Sequence, residues 1–143
     1  MTKNVLSGVM GLAVGDALGV PAEFMTRARL ALDPVTGMRG GGFHNQTPGT
    51  WSDDTSMNLA FMDSVAECGR IDEDDIMARF SRWMSGGEYT AHGRCFDAGG
   101  ATRSAIHKYL SGVPAAECGG KGEFSCGNGS LMRILPAAFI VRA

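Results

Sequence analysis

Apolar positions fall at helical spacing in four stretches of the chain, separated by loops dense in glycine and proline. Residues 2 to about 18 carry Val5, Leu6, Val9, Met10, Leu12 and Ala13 at steps of three and four, which predicts a helix ended by Pro21. Gly8, Gly11, Gly15 and Gly19 lie near one face of it. Each costs up to about 1 kcal/mol in a helix interior, so another backbone or a ligand is expected to come close to that face. Residues 27 to 51, with Pro34, Gly37, Gly40-Gly41-Gly42, Pro48 and Gly49, read as loop; one that long is functional or disordered. From Asp53 to Cys68 a helix returns, with Met57, Ala60, Phe61, Ser64, Val65 and Cys68 inward and Gly69 as its stop. Asp72 caps another, whose inner stripe is Ile76, Phe80, Trp83 and Met84. A fourth follows Asp97 with Ala101, Ala105, Ile106, Tyr109 and Leu110, stopped by Gly112 and Pro114. No segment alternates with period two, so the expected class is all-α, short helices joined by functional loops.

The last stretch, Ala137-Ala138-Phe139-Ile140-Val141, is strongly apolar and stops at Arg142-Ala143 without a cap. That ending reads as a chain cut partway through its fold, residues 1–143 being the N-terminal portion of one domain. The 143 residues suffice for a hydrophobic core, and 44% hydrophobic with 20% charged positions is ordinary for a globular protein. A net charge of −2 gives no electrostatic reason to expect nucleic acid or an anionic membrane. The apolar N-terminus imitates a leader until Asp16 interrupts it, and nothing is expected to reach the length of a membrane span. Cys68, Cys95, Cys118 and Cys126 form no C-x-x-C pair, so reduced thiols and a cytoplasmic location are expected. His92 and Cys95 have no second half of a zinc site.

Candidate chemistry centres on Ser52-Asp53-Asp54-Thr55. Two carboxylates flanked by two hydroxyls are an oxygen inventory suited to Mg²⁺, Mn²⁺ or Ca²⁺. The same residues are standard for a helix start, where they meet orphan N–H groups and the positive dipole end. Taken alone, capping is the stronger account. Asp72-Glu73-Asp74-Asp75 has the same look and reads as capping only. The Gly127-Asn128-Gly129-Ser130 turn exposes backbone N–H groups suited to phosphate, although a plain cap and turn fits it too. His44 and His92 sit in loops and His107 on a helix surface; none falls in a motif, and none is expected to be catalytic.

Four patterns then line up: Gly15-Asp16-Ala17-Leu18-Gly19-Val20-Pro21-Ala22-Glu23, Trp51-Ser52-Asp53-Asp54-Thr55, Phe96-Asp97-Ala98-Gly99-Gly100-Ala101-Thr102-Arg103, and Gly127 to Pro136. In this order the chain resembles the ADP-ribosylglycohydrolase family over nearly its whole length. The resemblance implies an all-helical enzyme with two Mg²⁺ or Mn²⁺ ions that hydrolyses the bond between ADP-ribose and an acceptor. Its partner would be an ADP-ribosylated protein or a small ADP-ribosyl conjugate. Carried over by position, Ser52, Asp53 and Asp54 would be metal ligands, Ser52 standing where the family more often has Thr. Glu23 would assist the reaction near the metals, and Asp97 would contact the substrate ribose. Ser125, Cys126, Gly127, Asn128, Gly129 and Ser130 would hold the diphosphate.

The chain departs from the family in length and in lacking a C-terminal Asp-x-Asp-Thr motif after residue 55. Three oxygen ligands cannot fill two octahedral sites. Either a complementary C-terminal segment completes the centre, or the chain is a non-catalytic ADP-ribose-binding or structural relative.

Overall fold

The structure is a computed structural model describing residues 3–141. Among them run seven α-helices: α1 Lys3–Gly19, α2 Arg27–Leu32, α3 Asp53–Cys68, α4 Glu73–Gly86, α5 Gly100–Leu110, α6 Gly129–Met132 and α7 Leu135–Val141. Single 3-10 turns lie at Val20–Ala22 and Ala115–Glu117. The described residues contain no strand, only an isolated bridge between Gly41 and Gln46.

The two central helices stop and start where their local chemistry dictates. Asp72 accepts a hydrogen bond from the Asp75 amide at 3.1 Å and caps α4. Gly69 and Gly87 end α3 and α4 in the left-handed region, which glycine enters without steric cost. Helix α2 lies inside the stretch expected to be all loop. Thr26 caps it by accepting from the Arg29 amide at 3.2 Å, the following Arg-Ala-Arg-Leu-Ala-Leu residues favour helix, and Asp33-Pro34 end it.

Helix α3 is the hub, packing on α4, α1 and α7. Met57, Ala60 and Phe61 of α3 meet Ile76, Phe80 and Trp83 of α4, with Ala98 and Ile106 closing the core. Cys68, expected on the inner face of α3, is exposed, and so are Leu6 and Met10 of the apolar set of α1 and Ala101 and Leu110 of α5. Cys68 and Leu110 are the last residues of their helices. Arg79 ties the outer edge of α3 to α4. Its guanidinium, 5% exposed, bonds Asp75 and Glu67 at 2.6 Å each, Tyr89 Oη at 3.0 Å, and Asp63.

The glycine face of α1 behaves unevenly. A Cβ on Gly8 would lie 2.7 Å from the Phe139 ring of α7, so close approach holds there. At Gly11, Gly15 and Gly19 a Cβ would meet nothing within 4 Å. Leu6, Met10 and Val14 are exposed on the same helix. The stretch Asn4–Ala22 is long and apolar enough to cross a membrane by length and composition, with 17% of its window buried. That corrects the expectation that nothing here reaches such a length.

Candidate active site

The start of α3 is held from outside itself. Asp16 on α1 accepts hydrogen bonds from the Ser52 amide (2.9 Å), the Thr55 amide (3.0 Å) and the Thr55 hydroxyl (2.6 Å). A carboxylate facing the first amides of a helix satisfies orphan donors and meets the positive dipole end. Ser52 adds its own cap, accepting from the Asp54 amide at 3.3 Å. Trp51 donates from Nε1 to the Tyr89 carbonyl at 3.0 Å and anchors the incoming loop. Asp53 and Asp54 are therefore fixed on a rigid helix start, and the side chain that fixes them comes from another element.

Burial first, and then the neighbouring negative charges, raise the proton affinity of Asp53 and Asp54. Burial pushes the Asp53 carboxyl up to about 7, helped by the charges of Asp97, Asp54 and Asp16. Asp54 is raised by burial first, then by Asp16 and Asp97, with Arg133 pulling the other way. The Arg133 guanidinium is itself held below its ordinary value by burial. It donates to Thr102 Oγ1 at 2.8 Å and to the Gly129 carbonyl, and lies 5.6 Å over the Phe80 ring.

Glu23 and Asp97 join the face from two loops. Val20–Ala22 turns the chain out of α1, and Glu23 follows with extended backbone. Asp97 does not cap α5, whose first turn begins at Gly99; it sits at φ 53°, a region costly for a residue with a side chain. Between the two carboxylates lies His44, its Nε2 2.8 Å from Glu23 Oε2 and 3.5 Å from Asp97 Oδ1. Burial raises the Glu23 carboxyl above its usual range and Asp97 adds to this, while the bond to His44 opposes it. The loop carrying His44 can reach this point because Gly42, at φ 70°, packs on the Pro21 backbone: a Cβ would lie 2.6 Å from it.

The Ser125–Ser130 loop stands beside this face. Ser125, Gly127, Gly129 and Ser130 line a cavity of about 620 Å³ with Thr102, Lys108 and Arg133. Cys126 and Asn128 are exposed and do not line it. Asn128 precedes α6 without a side-chain cap. Asn58 links this region to the acids, donating from Nδ2 to the Asp54 and Met132 carbonyls at 2.7 Å each.

The structure thus brings Asp53, Asp54, Asp97 and Glu23 into one electrostatic neighbourhood and sets the glycine-rich loop at its edge. Sequence reasoning missed the roles of Asp16, His44, Asn58 and Arg133. Asp16 had a signal, being an acid inside an otherwise apolar helix. His44 had none, because its partners are brought to it by the fold.

The donor set fits hard cations. Ser52, Asp53 and Asp54 present oxygen atoms from one helix start, and an Asp53 carboxyl driven up to about 7 is a buried acid that a dication would relieve.

The chain matches the family model described as ADP-ribosylglycohydrolase over residues 2–143. It is 38% identical over 134 residues to the ADP-ribosylarginine hydrolase Tri1 of Serratia proteamaculans, covering 94% of this chain and 36% of that protein. The ADP-ribosyl-[dinitrogen reductase] glycohydrolase of Rhodospirillum rubrum is 38% identical over 138 residues, covering 94% and 44%. A solved structure described as an ADP-ribosylglycohydrolase-related protein complex superposes with a TM-score of 0.74 at 36% identity, over 92% of this chain and 40% of that one. The chain therefore spans less than half the length of each of these relatives.

Proposed function

The chain belongs to the ADP-ribosylglycohydrolase family, and we propose that it serves the hydrolysis of the glycosidic bond between ADP-ribose and an acceptor on a protein or small conjugate. The observation carrying this reading is the cluster of Asp53, Asp54, Asp97 and Glu23, in which burial and then the charge of neighbouring acids raise the proton affinity of Asp53, Asp54 and Glu23. Such a cluster is unfavourable unless something positive is meant to occupy it.

In this reading Ser52, Asp53 and Asp54 hold Mg²⁺ or Mn²⁺. Bound there, hard dications would supply positive charge for sugar hydroxyls and lower the pKa of water. Asp16 keeps the ligands in place through its hydrogen bonds to Ser52 and Thr55. Asp97 positions the ribose by accepting from its hydroxyls. Glu23, whose proton affinity is raised, takes the proton of the attacking water as its oxygen bonds to the anomeric carbon. The bond to the acceptor breaks, the proton taken up by Glu23 is passed on to the departing acceptor through solvent, which restores the carboxylate, and the carboxylates stabilise the oxocarbenium-like transition state. The loop Ser125–Ser130 and Arg133 border the cavity that suits the diphosphate. Four free cysteines support a reducing compartment such as the cytoplasm.

The test is release of ADP-ribose from an arginine-ADP-ribosylated protein incubated with the chain and Mg²⁺. Release that chelation stops supports the reading; no release from arginine, serine or small-molecule conjugates overturns it. The ligand count of the tetrad favours a second reading, since two octahedral ions need about twelve ligands. A non-catalytic relative would bind ADP-ribose without turnover, which calorimetry with free ADP-ribose detects.

A further inference from the structure

His44 has no part in the chemistry of the tetrad, yet two carboxylates converge on one of its nitrogens. Nε2 lies 2.8 Å from Glu23 Oε2 and 3.5 Å from Asp97 Oδ1. One ligand atom from each of the three residues lies within 4.8 Å of the other two. Two ligands bound tetrahedrally to zinc at about 2.0–2.1 Å stand about 3.3–3.4 Å apart. The observed separations bracket that spacing, so small side-chain adjustments suffice to seat an ion among the three.

The donor set also differs in kind from the tetrad. Oxygen alone suits Mg²⁺ and Mn²⁺, whereas imidazole with carboxylates suits Zn²⁺ and similar transition ions. The three donors are positioned by contacts outside the trio. Gly42 sits against Pro21, two residues before Glu23. Gln46 donates from Nε2 to the His44 carbonyl at 2.8 Å. The rings of Phe43 and Phe96 lie 5.1 and 5.2 Å from the imidazole and give it an apolar wall, which strengthens ligand bonds by excluding water. Glu23 and Asp97 keep 29% and 30% of their side-chain surface open, so an ion has a path in and a free coordination position.

We propose that Glu23, His44 and Asp97 form a site for Zn²⁺ or a like transition ion, separate from the hard-ion set of Ser52, Asp53 and Asp54. The site itself does not depend on the hydrolase reading. Its consequence does: an ion there engages both carboxylates assigned to the reaction, so Zn²⁺ inhibits hydrolysis supported by Mg²⁺.

Calorimetry of the metal-free chain with Zn²⁺ in excess Mg²⁺ tests the site without any activity. One Zn²⁺ per chain is expected, with affinity falling in His44→Gln and Glu23→Gln. The fall should exceed the roughly 10- to 100-fold cost of losing an outer hydrogen-bonding partner. Co²⁺ in place of Zn²⁺ should give visible d–d bands without a thiolate charge-transfer band. Unchanged affinity in both variants, a thiolate band, or displacement by Mg²⁺ overturns the proposal. Circular dichroism checks each variant; His44→Phe keeps a ring in the aromatic wall and replaces His44→Gln if that one does not fold. Because binding is read directly, failure of the zinc site and failure of the hydrolase reading are separate results.

Discussion

Replacing Asp53 by Asn tests the electrostatics of the acid face most directly. The Asp53 carboxyl titrates at about 7 in the folded protein, against an ordinary value of 3.8. The folded state thus holds this proton more tightly than the unfolded chain does. Stability is greatest where both forms are protonated, below about 4, and falls as the pH rises through the window from about 4 to 7. At 1.36 kcal/mol per pKa unit, the whole interval amounts to about 4 kcal/mol in the absence of metal. Asp53 is 8% exposed, so solvent screening takes little from this figure. An asparagine side chain at this position has no charge to bury and nearly the same shape. The variant without metal should therefore unfold at higher temperature than the parent at pH 7, by roughly 10 °C at about 2–4 °C per kcal/mol. At pH 4 the two should melt together. Scanning calorimetry from pH 4 to 8 in the presence of a chelator reads the difference. Mg²⁺ should raise the melting temperature of the parent and leave Asp53→Asn nearly unmoved. Parallel pH profiles for parent and variant would contradict this account, because they would mean that Asp53 ionises at no cost in the folded state.

Three further substitutions separate the supports of the site. Asp16→Asn keeps the shape but loses charge-assisted bonds to the Ser52 and Thr55 amides and can no longer accept at both oxygens from N–H donors; urea unfolding should show a loss of about 1–3 kcal/mol. Gly42→Ala places a methyl group 2.6 Å from Pro21 at a backbone angle of φ 70°. It should destabilise by at least about 1 kcal/mol in chemical denaturation and weaken the His44–Glu23 contact, which the NMR chemical shifts of the His44 ring at fixed pH would report. Arg79→Met removes the buried guanidinium that joins Asp75, Glu67 and Tyr89 across α3 and α4. Its acidic partners keep access to water, so a loss of about 2 kcal/mol is expected in chemical denaturation, with far-ultraviolet dichroism unchanged before the transition.

Much of the helical framework is legible in the residue order because its signals are local. A cap such as Asp72 acts on an amide three residues on, and Gly69 and Gly87 end helices through their own backbone angles. These effects operate over one turn and leave a trace in consecutive residues. Helix α2 escapes such a reading because the prolines and glycines around it outweigh a short helix-favouring run that begins at Thr26. Exposure of Leu110 and Cys68 is equally invisible, since the pattern marks a face as apolar without saying whether another element covers it.

The site divides along the same line. Residue order alone makes Ser52, Asp53 and Asp54 the opening of a helix, and the succession of motifs puts Glu23, Asp97 and the Ser125–Ser130 loop in one family pattern. It takes the folded chain to bring Asp16 across from α1 to hold that helix start, and to stand His44 between Glu23 and Asp97. Capping is settled by neighbours along the chain, so residue order records it. The contact of His44 with Glu23 spans 21 residues and exists because Gly42 lets one loop press against Pro21. A contact made by packing leaves no periodic mark in the residues that make it.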